Sequence, residues 1–251
     1  MAALPDPIPA ATLVPMREKA VGPPEILFME RSAGMAFAAG ALVFPGGRIE
    51  AGDRTLGRRL APEREDAAAR IAAIRETIEE TGFAPALTPA EPAAVRALRD
   101  GLRDGMRFAE LLEARGLALD LDALTPFSRW CPTFKEVRRF DTIFFLAEAP
   151  PGRQAPDAQE GEAERIFWAD AAEILSRCRE DRAHAIFPTR RNLERLARFS
   201  SLAEARDEAR AIGVEKIVPW VEERDGEQWL CIPEGLGYPV TAEPLATARR
   251  I

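Results

Sequence analysis

The sequence predicts an α/β (α+β) fold in which a mixed sheet is flanked by helices. Three observations carry this expectation. Short apolar runs at 26–29, 41–44, 127–130, 140–147 and 165–168 include the β-branched and aromatic residues that strands favour. From Arg64 onward, Ile71, Ile74 and Ile78 recur at helical spacing among Ala67, Ala68, Ala72 and Ala73. Further helical stretches cover about 92–115, 171–179 and 189–197.

In chain order, Met1 to Ala11 is punctuated by Pro5, Pro7 and Pro9, and residues 1–23 are read as an N-terminal extension. The strand Ile26–Met29 leads through an Ala- and Gly-rich connection, Arg31–Gly40, to the strand Ala41–Phe44, which Pro45-Gly46-Gly47 stops abruptly. Ile49–Glu63, with Gly52, Gly57 and Pro62, reads as an irregular excursion. The helix that follows ends at Gly82, a residue suited to a left-handed stop. The region 92–115 is expected to break near Gly101 and Gly105, and Leu98, Leu102, Phe108, Leu111 and Leu112 give it a packing face. After the strands at 127–130 and 140–147, Glu148–Glu162 reads as a loop, and Thr189 as an N-cap. From about Ile212, short strands alternate with turns. The main domain is placed at 24–200, with an insertion around 54–67, and 201–251 is a C-terminal extension packed on it.

Composition narrows the chemistry. The 251 residues are 47% hydrophobic and 30% charged, the profile of a globular protein. A net charge of −7 argues against general nucleic-acid binding, which needs basic surface. A small phosphorylated ligand stays admissible, because a metal ion and a few arginines reverse the local field. Cys131, Cys178 and Cys231 are far apart and form neither a disulfide framework nor a zinc pattern, so reduced thiols in or near the core are expected. His184 is the one histidine, which excludes multi-histidine metal sites. A metal must then be held by oxygen, which favours Mg²⁺ or Mn²⁺. The first residues lack a secretory pattern, no apolar run approaches the roughly 20 residues of a membrane span, and the cytoplasm is the default compartment.

One constellation concentrates the chemistry: Phe44-Pro45-Gly46-Gly47-Arg48-Ile49-Glu50-Ala51-Gly52-Asp53, then Arg75-Glu76-Thr77-Ile78-Glu79-Glu80-Thr81-Gly82-Phe83. On a helix, Glu76, Glu79 and Glu80 project from one face within one turn, while Ile74 and Ile78 anchor the other. Three carboxylates so placed suit a hard divalent cation; alone, they also describe a solvated acidic helix end. The coupling to a strand ending in Pro-Gly-Gly and a helix ending in Gly-aromatic favours the cation site.

At these residues the sequence resembles the Nudix hydrolase family, whose box runs GX5EX7REUXEEXGU, with U a bulky apolar residue. Gly47 opens the box, Asp53 stands for its first glutamate, Arg75-Glu76 is the RE pair, Glu79-Glu80 the EE pair and Gly82-Phe83 the ending. Thr77 departs from U. Twenty-one residues, Arg54 to Ile74, stand where seven are expected, an insertion of 14. A loop lengthens at modest entropic cost, about 0.6 kcal/mol per doubling, so the insertion is compatible with an intact box. The resemblance implies an α/β/α sandwich with a mixed sheet and a loop-helix-loop catalytic box. It implies metal ligation by Glu76, Glu79, Glu80 and the Gly46 carbonyl, and an Asp53–Arg75 pair fixing loop to helix. The implied reaction is hydrolysis of a pyrophosphate linkage: divalent ions neutralise phosphoanhydride charge and acidify a water for in-line attack. The base is left unassigned.

For substrate, Arg31-Ser32 and GX3FPGG partly resemble the segment of coenzyme A pyrophosphatases, whose second arginine is absent here, Met35, Ala36 and Phe37 occupying that region. The expanded box, with Arg138-Arg139-Phe140-Asp141-Thr142 and Pro188-Thr189-Arg190-Arg191-Asn192-Leu193, is more similar to the Nudix-19-type coenzyme A diphosphatases. The expected ligand is a small nucleoside diphosphate derivative, coenzyme A or its acyl esters, with ADP-ribose, NADH or another nucleotide as the alternative. A non-catalytic nucleotide sensor is the rival class. Arg31, Arg138 and Arg139 are the candidate substrate contacts, though Arg138 and Arg139 also read as an ordinary surface pair. Arg190 and Arg191 read as surface or interhelix salt-bridge residues, and the four tryptophans, which could stack on an adenine, as core. No nucleic-acid or membrane partner is expected, and a homodimer is left open.

Overall fold

Side-chain alternation in two neighbouring strands sets the layers of the computed structural model, which describes residues 6–32, 40–133, 139–149 and 163–248. In β1 (Ile8–Arg17), Ala11 and Leu13 enter one hydrophobic cluster while Val14 and Met16 enter another. A strand buried on both faces belongs at the centre of a layered sheet.

Around β1 gather β2 (Glu25–Arg31), β3 (Leu42–Val43) and β4 (Gly46–Arg48), followed by the helices α1 (Ala51–Leu60) and α2 (Ala67–Thr81). A small excursion follows: β5 (Leu87–Thr88), α3 (Pro92–Arg103), α4 (Phe108–Ala114) and β6 (Ala118–Leu119), with β5 and β6 paired. The chain returns through β7 (Thr125–Trp130), β8 (Phe140–Glu148) and β9 (Ala163–Ala169) to α5 (Ala171–Arg179), α6 (Phe187–Leu196) and α7 (Leu202–Ile212). It closes with β10 (Lys216–Ile217), β11 (Trp220–Arg224), β12 (Glu227–Cys231), β13 (Ala242–Pro244) and α8 (Leu245–Ala248).

Among the described residues, eight strands form one mixed sheet with the path β10-β7-β8-β1-β2-β3, β4 pairing with β1 and β9 with β2. β8 runs parallel to β1, from Ile8 opposite Phe140 to Met16 opposite Glu148. The other edge of β1 is shared: Ala10–Thr12 pair antiparallel with β4, and Met16–Arg17 with β2. Phe145 and Ala147 of β8 join α2, α3 and α4 on one face; Phe144 and Leu146 join α5, α6 and α7 on the other. This is the expected α/β class with a mixed sheet between helices.

Several expectations need correction. Residues 8–17, read as part of an extension, are the central strand. Their prolines disguised it, but a proline can still accept in a ladder: the Pro9 carbonyl takes the Ile49 N–H at 2.9 Å. The second strand stops before Pro45 as expected, at Val43, but the chain then crosses to β1, where Gly46–Arg48 pair as β4. The stretch 49–63 holds a ten-residue helix, α1, rather than an irregular loop. Gly57, which reads as a breaker, is buried where the helices meet: a Cβ there would lie 3.0 Å from the Ala68 nitrogen. Thr189 is not an N-cap. α6 begins at Phe187 after Ile186, with proline in its first turn, and Thr189 is buried inside it.

α7, where no element was expected, starts at Ser201, whose hydroxyl accepts the Glu204 N–H at 3.1 Å. Through β10, whose Lys216 and Ile217 pair with Arg129 and Trp130, residues beyond 200 add a strand to the main sheet. Arg190 and Arg191 form salt bridges as expected, buried against Glu243 and, for Arg191, Glu194. Trp130 is core, whereas Trp220 is exposed. Cys131 and Cys231 are buried and Cys178 is half-buried, all with free thiols. No helix among the described residues is long and apolar enough to cross a membrane.

Candidate active site

The site is built on α2. Ile71, Ile74 and Ile78 are completely buried, which locks the helix against the sheet and sets the direction of its remaining face. Thr77, at the position where an apolar residue was expected, is also completely buried. Its hydroxyl donates to the Ala73 carbonyl at 2.7 Å, so the departure is absorbed inside the helix. Gly82 ends α2 in the left-handed conformation, φ +67°, with its N–H on the Ile78 carbonyl at 2.9 Å.

Glu76 and Glu80 both reach the β4 glycines. The Glu80 carboxylate accepts the Gly46 N–H at 2.9 Å. A Cβ on Gly47 would lie 2.3 Å from Glu76 Oε1, so that side chain occupies the space a larger residue would take. At Gly46 the backbone itself forbids a side chain, since a Cβ would stand 2.5 Å from the Ala11 carbonyl oxygen. The ladder places the Gly46 carbonyl too. Leu13 N–H bonds the Pro45 carbonyl and Ile49 N–H the Pro9 carbonyl, so Thr12 opposite Gly46 is a non-hydrogen-bonded pair. The Gly46 carbonyl therefore points away from β1, on the same edge as the N–H that meets Glu80.

Arg75 and Asp53 meet as a two-pronged buried pair, Nε to Oδ1 at 3.0 Å and Nη2 to Oδ2 at 2.9 Å. Asp53 Oδ2 also accepts the Glu50 N–H at 2.9 Å, and Arg75 Nη2 donates to the Arg48 carbonyl at 3.1 Å. One guanidinium thus ties α2 to β4 and to the start of α1. Its remaining nitrogen, Nη1, donates to Glu76 at 2.9 Å and lies 3.6 Å from Glu79. Burial opposes the Arg75 charge, but Asp53 and Glu76 outweigh it and raise its pKa above the ordinary value.

Sequence reasoning missed Arg99. Buried on α3, it donates through Nε to the Glu79 carbonyl and through Nη2 to the Glu80 carbonyl, both at 3.1 Å. It caps the end of α2 and supports the turn bearing the carboxylates. A lone arginine on an amphipathic helix gives no local sign of this. Of the other candidates, Arg31 closes β2 with a buried Nε that has no hydrogen-bond partner among the described residues. Arg139 lies before β8, its Nη2 3.5 Å from Cys131 Sγ. Arg138 lies outside the described residues.

Among the described residues, no three acidic, histidine or cysteine side chains are gathered as a ready-made metal cage. The donor chemistry nevertheless fits a hard cation: three carboxylates on one helical turn and a carbonyl off the ladder. Burial, reinforced by the Glu79 charge and opposed by Arg75, raises the Glu76 carboxyl to about 7. Such a group gains from a nearby cation. The sign for stability follows from linkage. The folded chain keeps the Glu76 proton up to about 7, while an unperturbed carboxyl releases it near 4.5, so the metal-free fold loses stability as pH rises between those values. Glu76→Gln, whose amide oxygen still accepts from Arg75, is expected to raise the melting temperature in chelator at pH 8 and leave it unchanged near pH 4.5. Equal melting at pH 8 would contradict this environment for Glu76.

No family model matches the chain. The chain is 31% identical to the acyl-coenzyme A diphosphatase NUDT19 of Gallus gallus, over 71% of this chain and 62% of that protein. It therefore spans less than two thirds of that relative's length. The crystal structure of a NUDIX hydrolase from Alicyclobacillus acidocaldarius is 30% identical and superposes with a TM-score of 0.70, covering 82% of this chain and 97% of the other. With a likeness spanning nearly the whole of that hydrolase, the chain belongs to the Nudix hydrolase family.

Proposed function

We propose that this chain hydrolyses the pyrophosphate linkage of a nucleoside diphosphate derivative, with coenzyme A or an acyl-coenzyme A as its substrate. The observation that carries the reading is the meeting of Glu76 and Glu80 with the Gly46-Gly47 backbone, beside Glu79 and an Arg75 clamped by Asp53. Similarity to a protein named as an acyl-coenzyme A diphosphatase supports the substrate class.

Glu76, Glu79, Glu80 and the Gly46 carbonyl would hold Mg²⁺ or Mn²⁺. When bound, the cation supplies charge neutralisation at the phosphoanhydride and Lewis acidity. The chain's own work is positional. Arg75 holds Glu76 and Glu79 on one side, Asp53 fixes Arg75, and Arg99 steadies the helix end beneath them. Catalysis of phosphoryl transfer rests largely on such fixed placement.

Incubation with Mg²⁺ and a panel of nucleotide diphosphate derivatives, with products identified by mass, tests the reading. Coenzyme A is expected to give 3′,5′-ADP and 4′-phosphopantetheine. Dephospho-coenzyme A, lacking one phosphate, is expected to be poorer by about 1.5–3 kcal/mol in kcat/KM, the worth of a charge-assisted contact. Arg31, Arg138 and Arg139 are candidate donors of that contact. Turnover of ADP-ribose or NADH with none of coenzyme A would overturn the substrate class; binding without turnover of any compound would overturn the hydrolase reading.

A further inference from the structure

We propose that the insertion in the box builds a pocket for a phosphate-type anion, separate from the carboxylate cluster. Between α1 and the start of α2 lies an open cavity of about 200 Å³, lined in part by Arg54, Arg58 and Arg64. Arg54 and Arg58 are four residues apart and so share one face of α1. Neither makes an ion pair among the described residues. Arg54 Nη2 reaches the Ile49 carbonyl at 3.4 Å, and Arg58 Nη2 the Thr55 hydroxyl at 3.3 Å. Arg64 is anchored by Asp122, and Glu65 is the one acidic residue in the lining.

Two arginines without a carboxylate partner among the described residues, on one helical face at the edge of a concavity, suit an anion from solution. The opposite wall includes Ala67 and Ala68, the first turn of α2, and Gly57 lets the helices approach closely. No side chain caps that helix start, so its positive end adds to the two guanidinium groups. Guanidinium forks match the oxygens of a phosphate monoester.

The pocket shares both helices with the candidate active site. Asp53, the partner of Arg75, immediately precedes Arg54, and Ala68 lies eight residues, roughly 12 Å of helix, before Glu76. Two sources of anion fit: a second phosphate carried by the substrate, or free inorganic phosphate. The first rests on the function proposed above; anion binding itself does not.

Inorganic phosphate titrated into the full chain by calorimetry tests the pocket. The wild type is expected to bind it saturably, and Arg54→Gln/Arg58→Gln to bind it at least about tenfold more weakly, with unchanged melting in phosphate-free buffer because both side chains are exposed. Absence of saturable binding, or equal affinity in the variant, would overturn the proposal. Turnover of coenzyme A and dephospho-coenzyme A then separates the sources. If the variant loses kcat/KM for coenzyme A alone, the pocket holds the substrate's phosphate. If its kcat/KM ratio for the two compounds is that of the wild type while phosphate affinity is lost, the pocket takes the free anion. Failure of both compounds to react in the wild type would overturn the proposed function and leave the calorimetric result standing.

Discussion

Glu79→Gln or Glu80→Gln is expected to remove most turnover while leaving the fold intact. Each exchange deletes one charge from the proposed cation site, where binding stabilises charge developing in the transition state. A contribution of several kcal/mol corresponds to a loss of about 10²–10³ in kcat. The fold should survive, because an amide oxygen in place of the Glu80 carboxylate still accepts the Gly46 N–H. Relief of repulsion within one helical turn should hold or raise the melting temperature without metal. Steady-state rates across a Mg²⁺ titration, beside melting curves in chelator, check both halves. Wild-type rates in either variant would remove these residues from the chemistry.

The second large effect is expected at the Asp53–Arg75 pair. Asp53 is 2% exposed and Arg75 is 7% exposed, so losing either charge leaves its partner buried with its two-pronged pairing broken, Arg75 keeping only Glu76 and Glu79. Removing one partner of a buried pair costs about 3–5 kcal/mol, and Asp53→Asn is expected to destabilise by that order. Arg75→Lys keeps the charge but loses the fork that spans both Asp53 oxygens and the Arg48 carbonyl. It should reduce activity and loosen the start of α1 while Mg²⁺ still binds. Hydrogen exchange at the Glu50 amide, which Asp53 accepts, reads that loosening directly. If Arg75→Lys matches the wild type in exchange and rate while Asp53→Asn does not, the two residues do not act as a unit.

The parts of this site that are legible in the sequence depend on fixed local spacing. Glu76, Glu79 and Glu80 share a helical face because of the 3.6-residue turn, and Gly82 stops that helix because it tolerates positive φ. The parts that were misread depend on partners distant along the chain. Gly57 looks like a helix breaker until α2 lies against it, and Pro9 looks like part of a tail until Ile49 donates to its carbonyl. Arg99 carries no signal at all, because its role is defined by carbonyls about 20 residues earlier. Arg190 and Arg191 read as salt-bridge residues, but the carboxylate they share, Glu243, belongs to the C-terminal segment and gives no local sign.

By itself the sequence determined the α/β class, the helix carrying three carboxylates, its glycine stop and the residue types that suit a hard cation. These follow from periodicity and side-chain chemistry, which act within a few residues. Only the tertiary structure decided that residues 8–17 form the central strand, that Gly46 and Gly47 lie against Glu80 and Glu76, and that the insertion is a helix bordering an arginine-lined cavity. Each depends on which segments become neighbours. Strand pairing and helix packing settle that by burying both faces of β1, a condition that no single stretch of sequence contains.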